Sequence, residues 1–106
     1  MDLLMGKINK VKSFEELKRK MDIENDNIKN LESLKELDDI AVFDSWDKLK
    51  CYFCNYFKRI YKIGDDRAMC YFNTDQFIAD LIGRDDISIY GIKSEGKTTY
   101  IVEFIQ

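Results

Sequence analysis

The residue types best able to do chemistry begin with a pair of thiols. Cys51-Tyr52-Phe53-Cys54 has the C-x-x-C spacing of zinc sites and of thioredoxin-like redox centres. Both chemistries demand more than the spacing. A structural zinc site needs four ligands, and in a chain without histidine only Cys70 remains to add another thiol. A redox C-x-x-C puts its first thiol at a helix N-terminus, where the dipole lowers the pKa. Here Cys51 falls about two turns into a helix that the apolar pattern starts at Trp46. The pair therefore reads as ordinary thiols, with no metal and no cofactor expected.

Carboxylates come next. Asp-Asp pairs stand at 38–39, 65–66 and 85–86, and the last two each follow a glycine expected to end a helix. Carboxylates gathered at strand ends can hold Mg²⁺ for hydrolysis, and aspartate is also simply a good turn residue. Asp86 with Glu95-Gly96-Lys97 echoes the D…E-x-K pattern of restriction-like nucleases. In that family E-x-K lies within a strand, whereas here its glycine is expected in a hairpin turn. With no histidine, triads and general acid–base work by imidazole are excluded. The five glycines, at 6, 64, 83, 91 and 96, form neither G-x-G-x-x-G nor a P-loop. No catalytic residue is assigned, and the chain is read as a non-enzyme.

Binding chemistry is richer. Between Phe43 and Ile63 seven aromatic residues are interleaved with five bases. On a helical wheel Trp46, Leu49, Phe53, Tyr56, Phe57, Ile60 and Ile63 share one arc, while Lys48, Asn55, Lys58, Arg59 and Lys62 lie opposite. A platform for single-stranded nucleic acid would place stacking rings beside the bases; segregation favours a core face and a solvated one. Lys50 is the exception inside the apolar arc, and Tyr52 and Tyr61 sit at its edges, as protein-interface tyrosines often do. The partner-binding candidates are accordingly Lys48, Lys50, Tyr52, Lys58, Arg59, Tyr61 and Lys62 on this helix, and Asp65, Asp66, Asp85 and Asp86 in the acidic turns.

The elements that must position these residues follow from periodicity and punctuation. Ser13 and Glu16 form a capping box ahead of Phe14, Leu17 and Met21, which predicts a helix over 13–22. Ile28, Leu31, Leu34 and Leu37 predict a second over 27–38. Ile40-Ala41-Val42-Phe43 reads as a short strand, and Asp44 or Ser45 caps the long helix from Trp46 to about Ile63, with Gly64 as its stop. Ala68 to Phe72 reads as a strand, and Asn73 or Thr74 caps a helix over 74–82 that Gly83 ends. Residues 87–92 and 99–105, joined through Ser94-Glu95-Gly96-Lys97, predict a hairpin in which Gly91 marks a bulge or a close backbone approach. The expected fold class is α+β, with N-terminal helices and one long amphipathic helix on a small, mostly antiparallel sheet ending in a C-terminal hairpin. A winged helix would need two helices between its first strand and its hairpin and a more basic recognition face.

Composition sets the outer bounds. The 106 residues suit a single domain, with 45% apolar and 35% charged residues and a formal charge of −3. Residues 1–43 sum to −2, residues 44–63 to +3 and residues 64–106 to −4, so one basic segment lies between acidic ones. No uncharged stretch approaches the ~18 residues of a membrane span, and the N-terminus lacks the pattern of a secretory signal. Three cysteines, an odd number, fit a reducing compartment, so a cytoplasmic protein that does not engage membranes is expected. Absent proline, with thirteen lysines to four arginines and thirteen isoleucines, matches AT-rich coding of low-GC bacteria and their phages.

The segments KSFEEL and NLESLKEL resemble barstar-like inhibitors, although the remaining order of elements departs from that family. These features lead to the expectation of a small protein-interaction module of the inhibitor, immunity or antitoxin kind, with a protein partner. A nucleic-acid-binding module using the basic face of helix 45–63, and a metal-dependent hydrolase built on the paired aspartates, are the alternatives.

Overall fold

The structure, a computed structural model, describes residues 4–62 and 73–105. A 3-10 turn at Met5–Lys7 leads into β1 (Asn9–Val11), α1 (Phe14–Lys20), α2 (Leu31–Leu34) and β2 (Ile40–Phe43). These are followed by α3 (Trp46–Tyr61), α4 (Thr74–Gly83), β3 (Ile87–Ser94) and β4 (Lys97–Phe104). The strands form one sheet in the order β1-β3-β4-β2, antiparallel at β3–β4 and β2–β4 and parallel at β1–β3. The fold is α+β, and its hairpin is the C-terminal one expected.

Both faces of the sheet are covered, which is why its central strands are apolar nearly throughout. Successive side chains on a strand point to opposite faces. Ile87 and Ile89 of β3 and Val102 of β4 pack with Leu49 and Phe53 of α3 and with Ile78 and Leu81 of α4. On the other face Tyr90, Ile92 and Ile101 meet Leu17 of α1, Leu34 of α2, and Met21 and Ile28 from the chain between them. Phe53, Leu17, Leu34, Leu49 and Ile89 are fully buried.

The helix starts form as their caps require. Ser13 Oγ accepts from Glu16 N–H at 3.1 Å, and the Glu16 carboxylate accepts from Lys12 N–H at 2.8 Å. Ser45 Oγ accepts from Lys48 N–H, and Asn73 Oδ1 from Gln76 N–H.

Several expectations are corrected. The helix over 27–38 reduces to the single turn Leu31–Leu34, because Asn25 and Asn30 bond nearby backbone instead of letting a helix run through. The three-residue β1 was not foreseen, since only Val11 of its residues is buried and so short a strand carries no alternation to read. Gly83 continues α4; the positive φ falls later, at Asp85 (60°). Gly91 makes no bulge, the β3–β4 register running unbroken from Ile87–Phe104 to Ser94–Lys97. The long helix ends at Lys62, left-handed at φ 53°. Ile63, Gly64, the strand expected at 68–72, Asp65, Asp66 and Cys70 lie outside the described residues.

Candidate interaction surfaces

The bases of α3 have different fates. Lys48 is tied to Asp44 one turn back, Nζ to Oδ1 2.8 Å. Lys50, the lysine inside the apolar arc, turns to α4 and faces Asp75 Oδ1 at 3.8 Å. Lys58 is half-buried, and Arg59 places its guanidinium 5.7 Å from the centre of the Tyr56 ring. Tyr52 is an interior residue rather than an edge one, its ring within 6.4 Å of those of Phe43, Phe53, Tyr56 and Phe104. Lys50 and Tyr52 thus each make contacts within the chain, Lys50 while keeping about two fifths of its side chain in solvent.

The last turn of α3 is different. Ile60 lies in the middle of the apolar arc, yet it is 48% exposed, and Tyr61 is 60% exposed. Both lie between the exposed Arg59 and Lys62 at the C-terminal end of α3. Tyr61 rests on Phe57 at 4.5 Å between ring centres, and Phe57 meets Phe77 of α4 edge-on at 5.1 Å. These rings wall a groove of about 660 Å³ between the two helices, with Lys7 and Arg84 on its margin.

The acidic turn at the foot of α4 is built for structure as much as for display. Asp85 is exposed, whereas Asp86 gives its N–H to Leu81 O and receives Ile105 N–H, both at 2.9 Å. Its carboxylate faces Arg84 Nε at 3.4 Å. Cys51 is exposed and Cys54 half-buried, both as free thiols. Among the described residues no group of three His, Cys, Asp or Glu side chains is placed to hold a metal ion. Glu95 and Gly96, at φ 53° and 80°, are the hairpin turn, so the nuclease-like pattern does not lie in a strand.

A second surface escaped the sequence reading. Gly91 sits in register between Lys10 on β1 and Tyr100 on β4, so three neighbouring strands present lysine, nothing and tyrosine side by side on one face. The missing side chain leaves a recess of about 290 Å³ lined by Ile8, Lys10, Lys93, Thr98 and Tyr100, with Val11, whose side chain packs on the opposite face, at its edge. The signal available beforehand was Gly91 itself, a strand-interior glycine that the structure explains as a gap. Its lysines come from segments eighty residues apart, which no local pattern could join.

Among the described residues no helix is long and apolar enough to cross a membrane. Comparison with protein-family models, curated proteins and solved structures finds no match for this chain.

Proposed function

We propose that this chain is a small protein-interaction module, of the inhibitor, immunity or antitoxin kind, that docks its partner through the C-terminal end of α3. The observation that carries the reading is the exposure of Ile60 and Tyr61 together. They are two of the three large apolar side chains exposed among the described residues, and they are adjacent on one helical turn. Isolated exposed apolar residues need no explanation, but a tyrosine beside an isoleucine, flanked by Arg59 and Lys62, has the make-up of an interface centre. Arg59 and Lys62 beside them favour a partner that is acidic around an apolar socket, with charge speeding the encounter.

The test is affinity purification from the native host with the wild-type chain and with Ile60→Ser/Tyr61→Ala. Recovery of a stoichiometric protein by the wild type, lost with the double variant, is the expected result. The variant should stay folded, losing at most the Tyr61–Phe57 ring contact and part of Ile60's covered surface, about 0.5–1.5 kcal/mol, which circular dichroism and melting check. Failure to recover any stoichiometric protein, or its retention by the variant, would overturn the proposal.

A further inference from the structure

We propose that the recess at Gly91 is a binding site for a nucleotide, the base lying against the sheet and the phosphate between Lys10 and Lys93. This site is separate from the end of α3 and stands independently of the function proposed for it. The first argument is shape. A Cβ built on Gly91 would meet Ile8 Cγ2 and Thr98 Cγ2 at 3.6 Å and Tyr100 Cε1 at 3.8 Å, ordinary contact distances. Another group can therefore occupy that position, and its conformation does not demand glycine, since Gly91 is not among the glycines with positive φ. At about 290 Å³ the recess is near the lower bound of small-molecule sites, roughly 300 Å³.

The second argument is charge. Among the described residues Lys10 and Lys93 make no ion pair, unlike Lys20, Lys35, Lys48 and Lys50. Lys97, from the same hairpin, lines the adjoining hollow with Trp46, Lys48 and Tyr100, but there Asp44 offsets it and pairs with Lys48. In a chain of net charge −3, Lys10 and Lys93 thus stand as two exposed, unpaired cations beside the apolar surface of Ile8 and Gly91. Such a surface takes a flat ring, and two ammonium groups beside it take an anion. A nucleobase carrying phosphate supplies both, whether as a free mononucleotide or within a single strand.

Trp46 is the only tryptophan, and its ring lies edge-on to Tyr100 at 5.1 Å, so its emission reports on the recess. The experiment is a titration of that emission with each of the four ribonucleoside monophosphates, with a ten-residue deoxythymidine oligonucleotide and with inorganic phosphate. A saturable change is expected with at least one nucleotide or with the oligonucleotide, weakened about tenfold or more in Gly91→Val and in Lys10→Ala/Lys93→Ala. Circular dichroism should show both variants folded, and Gly91→Ala serves as a milder filling of the recess should valine unfold the chain. Tighter binding of the oligonucleotide than of any mononucleotide would identify a single strand as the ligand; the reverse would identify free nucleotide. The proposal is overturned if no saturable change occurs up to about 5 mM, if phosphate alone binds as well, or if folded Gly91 variants bind like the wild type.

Discussion

Lys50 on α3 holds its ammonium 3.8 Å from Asp75 at the start of α4, and the carboxylate oxygen that it faces is buried and accepts no hydrogen bond. This pair joins the two helices on one face of the sheet. Both side chains keep about two fifths of their surface in solvent (39% and 41%), so the attraction is screened. We expect Lys50→Ala and Asp75→Ala to couple by about 0.2–1 kcal/mol in a double-mutant cycle of urea unfolding. Additive effects would show that the pair contributes nothing. Lys50→Ala should leave recovery of a partner unchanged, because the proposed docking site lies at Ile60 and Tyr61, several turns further along α3.

Glu103 gives stability a pH dependence. It is half-buried on β4, paired across the strands with Ser88 and Ile40, and burial, with the nearby charge of Asp39, raises its carboxyl above the ordinary carboxylate range. Tyr90, close by, is raised as well, by burial and by the charge of Glu103. An acid whose pKa is higher in the folded state binds its proton more tightly there. Its contribution is thus fully present below the unfolded pKa of about 4.3 and is lost as pH rises through the folded value. Glu103→Gln should therefore be the more stable protein at pH 7, by about 0.5 kcal/mol or less given solvent screening, and the two should converge below about pH 4. Melting curves across pH 3–8 would contradict this account if the variant were the less stable at neutrality. Glu16 works in the opposite sense, its carboxyl lowered first by the Lys12 N–H.

The hairpin turn can be improved. Glu95 and Gly96 both have positive φ, 53° and 80°, the two-residue turn that asparagine-glycine suits best. A glutamate there bears a left-handed backbone that asparagine adopts more readily, so Glu95→Asn should raise stability by about 0.5–1 kcal/mol. Gly96→Ala should lower it by about 1 kcal/mol through the backbone alone, since an added Cβ would meet nothing within 4 Å. Chemical denaturation reads both, and a neutral Gly96→Ala would refute the turn assignment.

Local chemistry made much of the molecule legible. The cap Ser13, the caps Ser45 and Asn73 as one each of two candidates, the apolar face of α3 through Leu49 and Phe53, the strand Ile40–Phe43 and the C-terminal hairpin each rest on neighbours a few residues apart and form as expected. What the sequence by itself determined was therefore the identity of most elements, and a residue inventory without imidazole or a phosphate-cradling loop.

The tertiary structure decided what those elements face. Only packing could bring β1 beside β3 across some eighty residues, or set Lys50 beside Asp75 of α4. It also left Ile60 exposed at the centre of an arc of which Trp46, Leu49, Phe53, Tyr56 and Phe57 are buried or half-buried, because a helical period says which side is apolar and never how far the supporting structure extends. Gly91 shows the same division. Its place in a strand was plain, but its role as the gap between Lys10 and Tyr100 exists only once three strands lie in register.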